Sequence, residues 1–178
     1  MPIHTDYQTD THSNQTHKKD FIMHIKDKLK QEYFLFIIKE HSAAFYRYAY
    51  SILLNQQDAE DAVSETILKA FEHLSDLICI HKMKSWIFQI LANTCKTLLS
   101  KRLYVSDEID NHAPEPSEQE AYMDLRNCIY QMDPKFREVV ILYYFEDLKI
   151  REIAKILSVS EGTVKSRLSR ARDKLKKI

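Results

Sequence analysis

The chain contains a single glycine, Gly162, among its 178 residues. Glycine supplies the unusual backbone angles that tight hairpins, phosphate-binding loops and dinucleotide-binding motifs require. Its scarcity therefore argues against a hairpin-rich β fold, a Rossmann-type domain and a P-loop enzyme. The chain also has only four prolines, and its apolar residues recur at spacings of three and four over long runs. We therefore predict an all-α protein.

The last thirty residues contain two short amphipathic segments separated by a turn. Apolar residues at positions 150, 153, 154 and 157 form one helical face, and those at 164, 168, 171 and 175 form a second. Residues 158–162 combine turn and cap residues with one apolar anchor, Val159. Two helices this close must cross at a steep angle, which predicts a helix-turn-helix. Ala154 is small enough to allow their close approach.

The second of these helices has a basic exposed face. A recognition helix presents its N-terminal residues to base edges in the major groove, and cations further along neutralise phosphates. A solvated surface helix is the alternative interpretation, but the turn, the small residue and the basic face coincide here. We therefore predict DNA binding by the hydroxyl and cationic residues of this helix. They are Ser160, Thr163, Lys165, Ser166, Arg167, Arg170, Arg172 and Lys174.

The net charge is zero, but the charges are distributed unevenly. Residues 149–178 carry ten Lys/Arg against three Asp/Glu, whereas residues 106–148 carry three against eleven. This asymmetry is typical of a DNA-binding tail beside a segment that must not cling to DNA. Within the acidic segment, Pro114 and Pro116 disfavour helix. We predict a flexible acidic linker over residues 103–118.

The linker divides the chain into two small helical domains. We predict a disordered polar leader over residues 1–20, a first domain over 21–102 and a second over 119–178.

Local signals place several helix boundaries within these domains. The first domain should contain helices over 21–54, 59–74 and 83–102, with Asp58 as the N-cap of the middle one and Phe71 on its buried face. In the second domain, the pair Asp133-Pro134 predicts a helix start, because proline at the first position needs no N–H.

Other functional classes lack support in the sequence. The three cysteines, Cys79, Cys95 and Cys128, are odd in number and lack zinc-binding spacing, which indicates free thiols in a reducing cytosol. No apolar run reaches membrane-spanning length, and the N-terminus has no secretory signal. No Ser/His/Asp, HExxH, Walker or paired-carboxylate motif is present. We predict a cytoplasmic protein that is not an enzyme and uses no cofactor or metal.

Four motifs together resemble those of bacterial sigma factors of the extracytoplasmic-function (ECF) type, in the sigma-70 family. Residues 58–66, DAEDAVSET, resemble the DAEDxxxET stretch of sigma domain 2, and residues 85–96, SWIFQILANTCK, its WLxxIAxN segment. Residues 136–140, FREVV, resemble the opening of sigma domain 4. Residues 162–172, GTVKSRLSRAR, are similar to its GTVKSRLxRAR signature. Leu91 departs from the pattern, in which a small residue is usual.

The resemblance implies a promoter-specificity subunit that acts with core RNA polymerase. Domain 2 would dock on the β′ clamp and open the −10 element, and domain 4 would bind the β flap and read the −35 element. The implied −10 contacts are Trp86, Asn93, Lys96, Lys101 and Arg102. The implied polymerase contacts are the acids Asp58, Glu60, Asp61 and Glu65, for which a solvated helix face is the alternative interpretation.

The resemblance further implies an anti-sigma factor as a partner and no stable homo-oligomer. A stand-alone helix-turn-helix regulator with an N-terminal sensing or dimerisation domain is the alternative. The first interpretation is favoured because the N-terminal half of the chain resembles a sigma domain 2, which a repressor would lack.

Overall fold

The computed structural model describes the backbone of residues 11–105 and 127–176, and the side chains of residues 23–102 and 127–176. Both described parts are helical and neither contains a β-strand, which confirms the all-α prediction for these residues. Apart from the helical residues 103–105, the predicted linker lies outside them.

Three helices build the N-terminal domain. They are α1 (Thr11–Leu53), α2 (Gln56–Glu72) and α3 (Met83–Val105). Two 3₁₀ turns, Leu74–Asp76 and Ile80–Lys82, connect α2 to α3.

Aromatic side chains fill the centre of this domain. The Phe88 ring of α3 lies 4.9 Å from the ring of Phe45 and 5.7 Å from that of Tyr48, both edge-on. All three side chains are buried. Edge-to-face packing of this kind adds to the stabilisation from apolar burial.

Helix α1 begins ten residues before its predicted start at residue 21, so part of the predicted disordered leader is helical. No proline or glycine lies between residues 3 and 113. Extending an existing helix costs far less free energy than starting a new one. The helix that packs on the core therefore continues back through polar residues to Thr11, and residues 1–10 lie outside the described part of the chain.

The N-cap of α2 is Asn55, not the predicted Asp58. The Asn55 side chain accepts a hydrogen bond from the Asp58 N–H at 2.9 Å, and its backbone is extended. Asparagine and aspartate cap helices about equally well, so either residue could have served as the N-cap of α2. The position where α1 ends decides between them, and Asp58 lies in the first turn.

The C-terminal domain begins in the described structure with helical residues 127–131. Helix α4 (Pro134–Val140) runs directly into a π-helical turn (Ile141–Phe145), which we call the aromatic turn. As predicted, Asp133 caps α4, because its side chain accepts a hydrogen bond from the Lys135 N–H at 3.1 Å.

Helices α5 (Ile150–Leu157) and α6 (Glu161–Leu175) form the predicted helix-turn-helix. Ser158 ends α5 in the left-handed conformation, with φ 57° and ψ 44°, where a glycine would be less strained. Ser160 then caps α6.

The two domains pack against each other in this structure. Helix α3 contacts α5, and α1 contacts α4. The buried apolar side chains of both domains belong to one continuous hydrophobic cluster. Helix α3 of the N-terminal domain therefore lies against the first helix of the helix-turn-helix.

We expect limited proteolysis of the full chain to cut first within residues 103–118. Acidic, proline-containing chain resists helix formation, and proteases require an extended backbone. Mass spectrometry of the earliest fragments would locate the cut. Initial cleavage within residues 58–100 would contradict the domain boundary.

Candidate nucleic-acid and polymerase interfaces

Helix α6 separates a buried face from an exposed basic face. Val164, Leu168 and Ala171 are buried against the rest of the C-terminal domain. The predicted DNA-reading residues lie on the other side and flanks of the helix. Lys165 and Arg170 are exposed and make no hydrogen bond or ion pair within the described side chains. These two cations are therefore available to an anionic partner.

The hydroxyl groups at the start of α6 are engaged locally. The Ser160 hydroxyl accepts a hydrogen bond from the Thr163 N–H at 3.0 Å and lies 2.9 Å from the Thr163 hydroxyl. The Ser166 hydroxyl donates to the Thr163 carbonyl oxygen at 2.9 Å. Ser160 is thus first a helix cap, and its predicted contact with DNA is secondary to that role.

Two cations near the end of α6 make contacts within the protein. The Lys174 ammonium lies 4.9 Å from the centroid of the Phe136 ring, a cation–π contact. The Arg172 Nε donates to the Leu168 carbonyl oxygen at 3.4 Å. Arg170, which precedes both in the helix, is exposed and makes no such contact among the described side chains, so it is the most available of the three to an anionic partner.

Arg167 and Lys96 share an acidic neighbour that the sequence did not reveal. Burial raises the pKa of the Glu138 carboxyl, and the positive charges of Lys96 and Arg167 oppose that rise. Glu138 lies on α4, Lys96 on α3 and Arg167 on α6. One carboxyl of the C-terminal domain therefore acts on a predicted −10 contact and on a predicted −35 contact.

The predicted −10 residues follow α3 along its length. Asn93 and Lys96 are exposed, as are Lys101 and Arg102 near the end of the helix. Trp86 is half-buried. It lines a cleft of about 440 Å³ between α3 and α5, together with Leu77, Lys82, Ser85, Gln89, Lys149, Arg151, Glu152, Lys155 and Ile156.

The acids of α2 divide into two groups. Glu60, Asp61 and Glu65 are exposed on one side of the helix, which we call the acidic face. Asp58 instead pairs with Arg102 of α3, with 3.4 Å between Oδ2 and Nη2. Asp58, a predicted polymerase contact, is therefore paired with Arg102, a predicted −10 contact. Because of this pairing we do not include Asp58 in the acidic face.

Large apolar side chains lie beside the acidic face. Phe71, which the periodicity predicted to be buried, is 55% exposed, and Leu68 is 65% exposed. The aromatic turn of the C-terminal domain is similarly open, with Tyr144 and Phe145 about half exposed. Exposed apolar groups of this size are typical of binding surfaces.

Glu146 carries a buried negative charge between two cations of the N-terminal domain. Its side chain is 2% exposed and accepts a hydrogen bond from Arg47 Nη2 at 3.0 Å. Lys84 lies on its other side, 3.7 Å from the carboxylate, and donates to the Glu146 carbonyl oxygen at 2.9 Å. No local pattern marks this cluster, because Arg47 and Glu146 are 99 positions apart.

Arg137 forms a second link between the domains. Its buried guanidinium donates to the Ser51 carbonyl oxygen at the end of α1 and to the Met132 carbonyl oxygen at 2.7 Å. Burial lowers the pKa of Arg137, and the negative charges nearby oppose this. Arginine nevertheless stays protonated in proteins, so this side chain buries a positive charge at the interface.

The described residues contain neither a membrane-spanning helix nor a metal-binding cluster. No helix among them has the length and apolarity to cross a bilayer. Nor do they contain a cluster of three His, Cys, Asp or Glu side chains suited to a metal ion.

Comparison with known families assigns both domains. Residues 37–103 match Sigma-70 region 2, and residues 122–175 match Sigma-70, region 4. The chain is 35% identical over 138 residues to the RNA polymerase sigma factor SigV of Bacillus subtilis, covering 75% of this chain and 83% of that protein. It is 26% identical to the ECF RNA polymerase sigma factor SigW of the same organism, covering 87% and 96%.

The fold matches a solved structure of the same class. The sigma factor RpoE of Bartonella quintana, crystallised with the anti-sigma factor NepR, superposes with a TM-score of 0.69 at 28% identity. The match covers 84% of this chain and 95% of that one. A stand-alone regulator would not carry region 2 ahead of its helix-turn-helix. The chain therefore belongs to the sigma-70 family as an RNA polymerase sigma factor of the ECF type.

Proposed function

We propose that this sigma factor reads the −35 element with the exposed side of α6 and the −10 element with α3, while the acidic face of α2 docks on core RNA polymerase. The observation that carries the proposal is the division of α6 into a buried apolar face and an exposed basic face. A helix of this kind can enter the major groove without disturbing its own core.

The assignment within α6 follows position along the helix. Lys165 and Arg167 lie in its first two turns, where a recognition helix comes closest to base edges. Arg170 lies a turn further on, exposed and without a hydrogen bond or ion pair among the described side chains, as suits a phosphate contact.

Helix α3 combines the groups needed at an opened −10 element. Trp86 offers an aromatic surface for stacking with an unpaired base, and Asn93 offers both hydrogen-bond donors and acceptors. Lys96, Lys101 and Arg102 supply positive charge for the phosphates of the same strand.

Two surfaces are suited to the polymerase itself. The acidic face of α2, bordered by Leu68 and Phe71, combines charge for orientation with apolar area for affinity, as a clamp-docking surface requires. The aromatic turn exposes Tyr144 and Phe145 on the C-terminal domain, and we assign it to the β flap. The chain acts as a cytoplasmic specificity subunit and has no catalytic activity of its own.

An anti-sigma factor is the inhibitor we propose for this protein. RpoE of Bartonella quintana, whose fold this chain shares, was crystallised with such a partner. A pull-down from uninduced cells should therefore recover a further protein besides polymerase. Recovery of core polymerase alone would count against this partner.

We expect substitutions at the start and in the middle of α6 to impair promoter binding in different ways. Lys165→Ala or Arg167→Ala should cost roughly 1–3 kcal/mol at the preferred −35 sequence and relax preference at one or two base positions. Arg170→Ala should weaken all sequences about equally and reduce the salt slope by about one.

The measurement is binding of holoenzyme to promoter variants across a salt series. Ser169→Ala, which alters an exposed hydroxyl without a charge, is the matched control. If Arg167→Ala lowers affinity uniformly while Arg170→Ala changes base preference, the helix docks in the opposite direction and the assignment is wrong.

A further inference from the structure

The cleft between α3 and α5 joins an apolar interior to a basic rim. Leu77 and Ile156 in its lining are buried, and the Trp86 side chain is half-buried. The cations of the lining are exposed, and they are Lys82, Lys149, Arg151 and Lys155. The volume of about 440 Å³ lies within the range of small-molecule sites. The cleft therefore has the size and the lining of a site for a small ligand with an apolar part and a charged part.

The charges that line this cleft are unbalanced. Glu152 is the one acid of the described lining, and its carboxylate accepts a hydrogen bond from the Lys149 N–H at 3.1 Å. None of the four cations forms an ion pair or a side-chain hydrogen bond among the described residues. Four positive charges thus accompany one negative charge, an excess of three. Because like charges concentrated in a cleft attract counter-ions, the cleft favours a ligand with several negative charges.

The cations of α5 occupy positions that the helix itself does not favour. Lys149 and Arg151 lie at the N-terminal end of α5, where the positive end of the helix dipole disfavours cations. Arg151 and Lys155 are four residues apart, so they are neighbours of like charge on one side of the helix, which destabilises a helix. An anion bound between these side chains offsets both costs. The local electrostatics therefore point to an anionic ligand at this end of α5.

The inner surface of the cleft suits a flat apolar group. An exposed face of an aromatic side chain such as Trp86 stacks with any nucleobase, because every base has a π face. Gln89, half-buried one turn further along α3, offers hydrogen-bond donors and an acceptor to the polar edge of a base. An inorganic anion would leave this surface unused, and an uncharged apolar ligand would leave the cations unpaired. A ligand that combines a nucleobase with phosphates uses both parts of the cleft.

We propose that the cleft between α3 and α5 binds a free nucleotide with two or more phosphates. Its base stacks on Trp86, and its phosphates contact the cations of the rim, with Arg151 and Lys155 supplied by α5. The ligand lies between one helix of each domain, so its binding requires residues of both. The site goes beyond the function proposed above, which assigns no free nucleotide to this chain.

Trp86 is the single tryptophan of the chain, so its fluorescence reports on the cleft directly. In titrations of the full chain, ATP should change this fluorescence along a curve that saturates at millimolar concentration or below. Excitation at the red edge of the tryptophan band avoids absorption by adenine. Inorganic tripolyphosphate should compete with ATP, whereas adenosine should bind much more weakly, because charge-assisted contacts to phosphate supply most of the attraction. Absence of a saturable change with ATP would overturn the site.

Two variants separate the two halves of the site, with affinities measured by isothermal titration calorimetry. Trp86→Leu should weaken ATP binding about fivefold or more and leave tripolyphosphate binding nearly unchanged, because only the base loses its stacking partner. The double variant Arg151→Gln, Lys155→Gln should weaken binding of both ligands about tenfold, since two of the four cations are lost. If Trp86→Leu weakens both ligands equally, or weakens neither, the base does not stack on this ring and the proposal is wrong.

The double variant Lys26→Gln, Lys28→Gln is the matched control. Both lysines are exposed on α1 outside the lining of the cleft, and their loss changes the net charge by the same amount. This variant should bind ATP as tightly as the parent chain does. Circular dichroism with unchanged helical content excludes unfolding as the cause of weaker binding in the cleft variants. Equal weakening by the control and by Arg151→Gln, Lys155→Gln would mean that ATP responds to overall charge, which overturns the site.

The same cations also suit the phosphates of DNA, because the first helix of a helix-turn-helix crosses the DNA backbone. A DNA duplex of random sequence therefore provides the comparison, titrated against the same two double variants. Saturable binding of ATP in the absence of DNA, lost in Arg151→Gln, Lys155→Gln, supports the nucleotide site. If those substitutions weaken binding of the duplex while ATP neither binds nor competes with it, the cations serve DNA alone and the nucleotide site is overturned.

Discussion

Simultaneous reversal of Glu60, Asp61 and Glu65 to lysine should weaken binding to core RNA polymerase by roughly 100-fold to 1,000-fold. Three exposed carboxylates facing a basic partner become three like charges, and like-charge juxtaposition costs several kcal/mol, or about 3–4 kcal/mol here. The acidic face is exposed, and the partners of Glu60 and Glu65 in the described structure, Gln56 and Lys69, both lie on α2 itself. Fluorescence anisotropy of the labelled chain with core enzyme would measure the loss.

The fold should survive this change. Glu65 forms an ion pair with Lys69 at 2.6 Å, but exposed pairs one helical turn apart contribute only about 0.3–0.5 kcal/mol. A second triple variant provides the control, with the same charge change on the same domain at exposed residues of α1. It comprises Asp27→Lys, Glu32→Lys and Glu40→Lys. Equal loss of affinity in both variants would mean that net charge, and not the acidic face, governs binding.

Leu168→Ala should destabilise the C-terminal domain by about 2–5 kcal/mol. Leu168 is 3% exposed and lies between Val164 and Ala171 on the buried face of α6. Small domains bury a limited fraction of their surface and have little stability in reserve. The substitution should therefore disorder the helix-turn-helix without touching a DNA-reading residue.

Urea denaturation followed by circular dichroism would detect this loss as an earlier transition. In run-off transcription, the variant should lose its dependence on the −35 sequence together with most of its activity. Ser169→Ala alters the adjacent exposed position and should leave both measurements close to those of the parent chain. If the Leu168→Ala variant has a lowered urea midpoint but keeps its full dependence on the −35 sequence, the predicted loss of DNA reading is wrong. That result would mean that DNA binding refolds the domain.

The stretches that local physics governs were predictable from the sequence. Helical periodicity located α2, α3 and both helices of the helix-turn-helix to within a few residues. Asp133 and Pro134 marked the start of α4, because a cap and a proline act within one turn of helix. Family resemblance then assigned the two domains, which the matches to regions 2 and 4 confirm.

Two predictions about α2, its N-cap and the burial of Phe71, were wrong. Asn55 and Asp58 are similar as caps, and the end of α1 decided between them. Periodicity placed Phe71 on the buried face of α2, but its ring is mostly exposed. A helical pattern indicates which residues can be buried together; it does not indicate how far the neighbouring helix extends to cover them.

The sequence by itself determined the helical class of this protein, its helix-turn-helix and the order of its two domains. Only the tertiary structure showed that Glu146 is buried between Arg47 and Lys84, and that Glu138 acts on both Lys96 and Arg167. The physical reason is distance along the chain. Caps and helical faces depend on residues a few positions apart, whereas these charges lie on helices up to 99 positions apart and meet only when the domains dock.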